Sequence, residues 1–177
     1  MSILKLDRHV MQPYRGYPPC MGKEPKIKDR VVVIPEGIKV LHPKSFQYNC
    51  YIEELYLPDS LESISYKALE HCKSLRVLSF SRNMVEFDCN AITGCDALKT
   101  IIYRGTIYEF TFLATPGQTP DLEVVYCTDG QIRFGKNREY YIDKLYFPGT
   151  RAEWNLLFAP DDWRNRRCKE IICTDEL

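Results

Sequence analysis

The sequence predicts a right-handed solenoid, mainly β or mixed α/β, with short parallel strands on one face and short helices or turns on the other. Three observations predict this fold: an internal repeat of 23 residues, one short apolar strand in each repeat, and prolines that directly follow several strands. One short strand with its return segment cannot bury its own apolar side, whereas stacked copies can. Because every copy runs in the same direction, we expect parallel strands, and parallel crossover connections are almost always right-handed.

The repeat is most regular over residues 29–103. Ile52, Leu75 and Leu98 each begin the same six-residue pattern, apolar-x-x-apolar-x-apolar, at 23-residue intervals. The last two apolar positions alternate along the chain, so they share the buried face of a strand. The pattern continues less regularly in the second half, and its copies predict seven strands, near residues 31–34, 54–57, 77–80, 100–103, 124–127, 144–147 and 170–173.

A further column of the repeat falls in the return segments. Asn49, Cys72 and Cys95 occupy this column. The column resembles the one that takes Asn or Cys in leucine-rich repeats, and this resemblance implies a side chain that lies inside the turn and contacts backbone groups of the bend. The two cysteines are therefore interpreted as buried structural residues, which is a common role for free cysteine.

At particular residues the repeat resembles a known family. The string Cys72-Lys-Ser-Leu75-Arg-Val-Leu78-Ser-Phe80 is similar to the BspA-type bacterial leucine-rich repeat, and the similarity covers residues 30–103 well. Two later units resemble the end of such domains, because Gly-Thr-x-x-Glu occurs at 105–109 and 149–153 and Cys-Thr-Asp follows each. The threonine and glutamate of each unit have the spacing of a helix capping box, which predicts a short helix in both.

The resemblance implies a bacterial leucine-rich-repeat solenoid over residues 29–177. Regular repeats are expected at 29–103 and longer, irregular repeats at 104–177. Residues 1–28 are rich in proline and glycine, which predicts an irregular segment. A solenoid exposes its first core layer, so we expect this segment to form an N-terminal cap; a disordered tail is the alternative.

Composition disfavours several classes of protein. The chain has 24 Lys+Arg and 24 Asp+Glu residues and a net charge of zero, which disfavours nucleic acid as a partner. No apolar run approaches the ~18 residues that span a bilayer, so no membrane partner is expected. The first residues lack the apolar region of a secretory signal, so we expect a cytoplasmic protein whose eight cysteines are reduced.

The sequence contains no motif of an enzyme or a metal site. Glycine-rich phosphate loops and the G-x-S-x-G elbow are missing. The neighbours His71 and Cys72 and the adjacent Asp161 and Asp162 are interpreted as structural or solvated groups. The basic stretch 163–169 contains a tryptophan and is interpreted as a solvated rim rather than a surface for nucleic acid. We therefore expect a non-enzymatic protein with no cofactor and no metal.

The outward side of the predicted strands is unusually apolar. Side chains alternate along a strand, so residues between the core positions point away from the core. Contiguous exposed apolar surface marks interaction sites, and tyrosine is a favoured anchor there. The predicted partner-binding residues are Val33, Tyr56, Ile102, Arg104, Val124, Tyr126 and Tyr146.

A leucine-rich solenoid offers a long rigid surface for binding, so we expect a protein-protein interaction module that acts as an adaptor or inhibitor inside the cell. The alternative is a cell-surface adhesive protein of the same repeat type whose export signal lies elsewhere. Three explanations of the apolar face stay open at this point. They are a protein partner, cover by residues 1–28 or by a second copy (through this face or a solenoid end), and the β-propensity of Val, Ile and Tyr.

Overall fold

A computed structural model describes residues 29–88, 90–113, 122–135 and 139–176, together with the backbone of residues 3–5. Its strands are β1 (Ile3–Lys5), β2 (Val31–Val33), β3 (Val40–Leu41), β4 (Glu54–Tyr56), β5 (Ser63–Ile64), β6 (Val77–Ser81), β7 (Glu86–Phe87), β8 (Thr100–Arg104), β9 (Val124–Cys127), β10 (Gly130–Phe134), β11 (Tyr140–Phe147) and β12 (Cys168–Cys173). The helices are α1 (Ile107–Leu113), α2 (Arg151–Leu157) and α3 (Trp163–Arg167), and a short 3₁₀ turn covers Thr174–Glu176.

Successive regular repeats contribute strands to two sheets. Within the described residues, the larger sheet has nine strands in the order β1-β2-β4-β6-β8-β9-β10-β11-β12, and the smaller has three in the order β3-β5-β7. Neighbouring repeats pair in parallel at an offset of 23 residues, so that Leu55 lies opposite Leu78. A mostly parallel sheet with few helices agrees with the predicted fold class, while the right-handed solenoid stays a prediction.

The sequence predicted the strands and core of the larger sheet well. All seven predicted strands are present, although β11 begins at Tyr140 rather than near residue 144. The predicted core positions of the strands, from Val32 in β2 to Phe147 in β11, are buried in one continuous cluster. In the return segments, Ile38 and Phe87 are only half-buried against that cluster.

One strand of this mostly parallel sheet runs antiparallel to its neighbours, which the repeat did not predict. β10 pairs antiparallel with both β9 and β11. Asp129-Gly130 is a turn sequence at which the chain reverses. Ile132 of the returning strand is fully buried opposite Val125 and Ile142. The two-residue strands of the smaller sheet were not predicted either, because so short a segment leaves almost no periodic signal.

The small-residue column contacts backbone groups inside the turns, as predicted. Asn49 Oδ1 accepts hydrogen bonds from two backbone N–H groups of its own bend, at 2.9 and 3.1 Å. Cys72 and Cys95 donate their thiol hydrogens to the carbonyl oxygens of Phe46 and Leu69, at 3.0 and 3.1 Å. Each of these free thiols therefore links one repeat to the repeat before it.

A second column of the turns requires left-handed backbone. Tyr48, His71 and Gly94 hold equivalent positions and have φ angles of 64°, 58° and 73°. The rings of Tyr48 and His71 stack with their centroids 5.1 Å apart. A Cβ atom added at Gly94 would lie 2.3 Å from His71 Nδ1, so the glycine leaves the space that the His71 ring occupies.

We expect Gly94→Ala to lower the free energy of unfolding by about 2 kcal/mol, because alanine is strained at a left-handed φ and its Cβ atom would collide with the His71 ring. In a His71→Gly background the ring is absent, and the destabilisation by Gly94→Ala should fall to about 1 kcal/mol, the part that comes from the left-handed φ. Urea denaturation of the two single variants, the double variant and the parent measures both values. The same cost in both backgrounds would show that the ring is not the obstacle.

The two long units of the second half share one capping arrangement. Thr150 Oγ1 accepts a hydrogen bond from the N–H of Glu153, whose carboxylate accepts from the N–H of Thr150 at 2.7 Å. Thr106 and Glu109 repeat these bonds at the start of α1, which confirms both predicted capping boxes. The aspartate of each Cys-Thr-Asp sequence accepts from the first helical N–H, at 2.8 Å in α1 and 3.0 Å in α2.

Side chains satisfy backbone groups at the outer edge of β12. Leu57, which holds the position of Cys173 in an earlier repeat, donates its N–H to the next strand, whereas β12 has no further neighbour among the described strands. The N–H of Cys173 donates instead to Glu176 at 2.9 Å, and the Arg151 guanidinium donates to the carbonyl of Ile171. Arg151 also pairs with Glu176 at 2.7 Å, which lowers the pKa of that carboxyl to about 2.

Candidate binding surface on the strand face

The register of the larger sheet brings most of the predicted site residues into one row. Direct register partners on successive strands lie about 4.8 Å apart, so their outward side chains form a continuous line. Val124 lies on the same face, two residues before Tyr126 in β9. From β2 to β9, the row consists of Val33, Tyr56, Ser79, Ile102 and Tyr126.

Two tyrosines are the most exposed members of the predicted site. Tyr126 is 49% exposed and Tyr146 is 38% exposed, while the other apolar members are half-buried. Two residues expected to point outward are buried instead. Ser79 lies beneath the guanidinium of Arg104, and Val31 lies between β1 and β4.

Tyr146 does not lie in the row that ends at Tyr126. β10 separates β9 from β11, and Ile132 pairs with both Val125 and Ile142. Tyr126 is one residue beyond that level and Tyr146 is four residues beyond it, so the two tyrosines are not at the same level of the sheet. The face therefore has two parts: the row over five strands, and a smaller area at Tyr146 beside β12.

Arg104 lies across the face and connects three strands. Its Nε and Nη2 atoms donate to Asp59 Oδ1 at 2.9 and 2.7 Å. Nη2 also donates to the carbonyl of Leu57 at 2.8 Å, and Nη1 donates to Ser79 Oγ at 2.9 Å. The position of this guanidinium is thus fixed by four hydrogen bonds, and its charge is balanced by Asp59.

A pocket of about 490 Å³ opens beside Arg104, at the carboxyl ends of β2 and β4. Its apolar lining includes Val33 and the strand-ending Pro35 and Pro58, which are buried or half-buried. The exposed carboxylates of Glu36 and Asp59 lie at its mouth. Three of the predicted site residues line this pocket: Val33, Tyr56 and Arg104.

The two acids of the pocket were not predicted as site residues. Glu36 and Asp59 lie 23 residues apart, and each directly follows a strand-ending proline, which is a repeated signal that could have identified them. The Glu36 carboxylate accepts the N–H of Asp59 at 2.8 Å and that of Ser60 at 3.1 Å. These bonds, above all the one from Asp59, lower the pKa of Glu36, so the group is ionised at neutral pH.

The groups considered for catalysis have structural surroundings. Burial raises the pKa of the Cys72 thiol well above its usual range, so it is a protonated thiol rather than an activated nucleophile at neutral pH. Asp162 accepts the N–H of Arg164 at the start of α3 and pairs with its guanidinium at 3.2 Å. In the described part of the chain, no group of three or more His, Cys, Asp or Glu side chains could hold a metal ion.

One arginine of the basic stretch 163–169 is part of the protein interior. Arg164 is buried, and its guanidinium lies 4.6 to 4.8 Å from the ring centroids of Phe112, Phe158 and Trp163. These contacts make Arg164 a structural residue rather than one that reaches a phosphate. Among the described helices, none has both the length and the apolar character needed to cross a membrane.

A unit of one strand, a turn with a small buried side chain and a short second strand, repeated at 23 residues, defines a leucine-rich repeat protein. Residues 27–115, half of the chain, match the family model of the BspA type leucine-rich repeat region (6 copies). This chain belongs to that family, and the predicted resemblance is confirmed. Comparisons with curated proteins and with solved structures gave no match.

Proposed function

We propose that this protein is a non-enzymatic interaction module that binds a protein partner through its open strand face. The observation that carries the proposal is the row from Val33 to Tyr126, in which Arg104 covers the central Ser79 and the half-buried apolar side chains on either side lead to an exposed tyrosine. Side chains on a rigid sheet lose little conformational entropy on binding, and aromatic residues are favoured anchors of interfaces. Leucine-rich repeat proteins are, as a class, interaction modules.

In this proposal the repeats coil as one right-handed solenoid, and the protein acts in the cytoplasm as an adaptor or inhibitor. The compartment is supported by the hydrogen bonds of Cys72 and Cys95, because both bonds require a reduced thiol.

The test is a double substitution, Tyr126→Ser with Tyr146→Ser, in protein coupled to a resin and exposed to extract of the native cell. The matched control is Tyr66→Ser with Tyr51→Ser, because those tyrosines lie off the strand face and are 46% and 37% exposed, close to the 49% and 38% of the test pair. We expect the parent and the control to retain the same partner and the test variant to lose it. Mass spectrometry of the retained proteins measures the difference.

Retention of the partner by a folded test variant would contradict the proposal. Unfolding of that variant would contradict it as well, since side chains exposed to this degree contribute little to the core. Sedimentation of the parent and the test variant distinguishes a second copy as the occupant, because the parent would then sediment as a dimer and the variant as a monomer.

A further inference from the structure

The pocket beside Arg104 combines an apolar lining with an excess of negative charge. Its charged lining residues are Glu36, Asp59 and Arg104, two carboxylates against one guanidinium. Its volume of about 490 Å³ lies within the ~300–1,000 Å³ that ligand pockets span. It is therefore large enough for a long side chain of a bound protein together with parts of its neighbours.

Arg104 does not make this pocket a site for anions. Four of its N–H groups already donate, two of them to Asp59 Oδ1 and the others to Leu57 and Ser79. A carboxylate or phosphate would have to displace Asp59 to obtain a bidentate contact with the guanidinium. The arginine is therefore better described as part of the wall.

The carboxylates at the mouth retain acceptor capacity. Glu36 accepts the backbone N–H groups of Asp59 and Ser60 and also interacts with the Ser60 hydroxyl, while no ion pair joins it to a Lys or Arg among the described residues. Asp59 receives both bonds of Arg104 on Oδ1, which leaves Oδ2 open toward other groups. An uncompensated carboxylate next to apolar surface suits a ligand that has an aliphatic stem and a cationic end.

We propose that this pocket receives a basic side chain, lysine or arginine, presented by the protein partner, an inference that rests on the proposed function. The aliphatic stem packs against Val33, Pro35 and Pro58, while the cationic group contacts Glu36 and Oδ2 of Asp59. Long basic side chains bury their stems along apolar surface in this manner while the charge remains in a polar setting.

The test is an NMR titration of the full isotope-labelled chain with N-acetyl-lysine methylamide and N-acetyl-arginine methylamide. The same derivatives of norleucine and glutamate control for the stem alone and for the opposite charge. We expect saturable shifts of the Val33 methyl and Tyr56 amide signals, with dissociation constants for both basic probes about twofold or more below that of the norleucine probe. Equal affinity for norleucine, tighter binding of glutamate, or no saturable shift with any probe would each overturn the proposal.

A pair of matched variants tests the charge itself. Glu36→Gln removes one charge from the pocket mouth and keeps an oxygen acceptor, whereas Glu86→Gln removes an equal charge from β7, outside the pocket. We expect Glu36→Gln to raise the dissociation constant of the lysine probe about two- to fivefold and Glu86→Gln to leave it unchanged. The unaltered protein can be tested with salt. At about 0.5 M salt the affinity of the basic probes should fall, whereas that of the norleucine probe should not. Affinity unchanged by Glu36→Gln and by salt would contradict the inference.

Failure of this inference is distinguishable from failure of the proposed function. The probes bind the pocket without the partner, whereas the paired tyrosine variants test the partner without the probes. If the probes do not bind while Tyr126→Ser with Tyr146→Ser still abolishes capture of the partner, the face binds its partner, and only the proposal of a basic side chain in the pocket is wrong. If the probes bind but capture does not depend on the tyrosines, the proposed face is wrong.

Discussion

Leu78→Ala is expected to lower the free energy of unfolding by about 2–5 kcal/mol. Leu78 is fully buried in β6, and its register partners Leu55 and Ile101 are buried on either side of it. Truncation leaves a cavity in the middle of the larger sheet, where strand pairing prevents the neighbours from collapsing into the space. Denaturant unfolding followed by circular dichroism measures the loss.

The matched control is Leu156→Ala, which removes the same atoms from a side chain on α2 that is 86% exposed. We expect a change within about 0.5 kcal/mol there, because little apolar surface leaves the core. A cost below about 1 kcal/mol at Leu78 would contradict the strand register that places its side chain inward.

Gly105→Ala is expected to cost about 2–4 kcal/mol. The added Cβ atom would lie 2.6 Å from Glu109 Oε2 and 2.6 Å from two ring carbons of Tyr103. Tyr103 is packed against Phe80 and Phe110, and Glu109 caps α1, so neither neighbour is free to withdraw. Overpacking costs about 1–3 kcal/mol and a displaced cap adds about 1 kcal/mol. Urea denaturation measures the sum.

Two other glycines test this explanation. Gly149→Ala in the second copy of the unit should also destabilise, because its Cβ would lie 2.6 Å from the ring of Phe147 and 2.8 Å from Glu153. Gly135→Ala is the control, since the nearest atom there would be 3.5 Å away, and we expect a change within about 0.5 kcal/mol. A neutral Gly105→Ala beside a neutral control would show that the unit relaxes around an extra carbon.

The repeat could predict the strands and their core because it is a long-range signal within the chain. A residue such as Leu78 occurs in register with Leu55 and Ile101, so the burial of each is supported by the others. The same register placed Val33, Tyr56, Ile102 and Tyr126 in one row. These features depend on period and alternation alone, which the sequence carries directly.

Features outside the repeat could not be predicted in this way. β10 consists of five residues with one buried apolar side chain, Ile132, and no other copy supports it. Its insertion separates Tyr146 from the row, although Tyr126 and Tyr146 each directly precede the last residue of their copies of the six-residue pattern. The pocket also required the bonds from Arg104 to Asp59, which join residues 45 positions apart and follow from side-chain geometry rather than from period.

The contacts of Arg151 and Glu176 at β12 bear on whether the protein can polymerise. An edge strand with open N–H and C=O groups is a template onto which another chain can add, and ordered aggregates grow by that step. In β12 the N–H of Cys173 and the carbonyl of Ile171 already bond to side chains, so an incoming strand must first break the ion pair between Arg151 and Glu176. Because the pKa of Glu176 is about 2, the pair stays charged in all but strong acid. These two backbone groups of the edge are therefore protected against strand addition while the ion pair is intact.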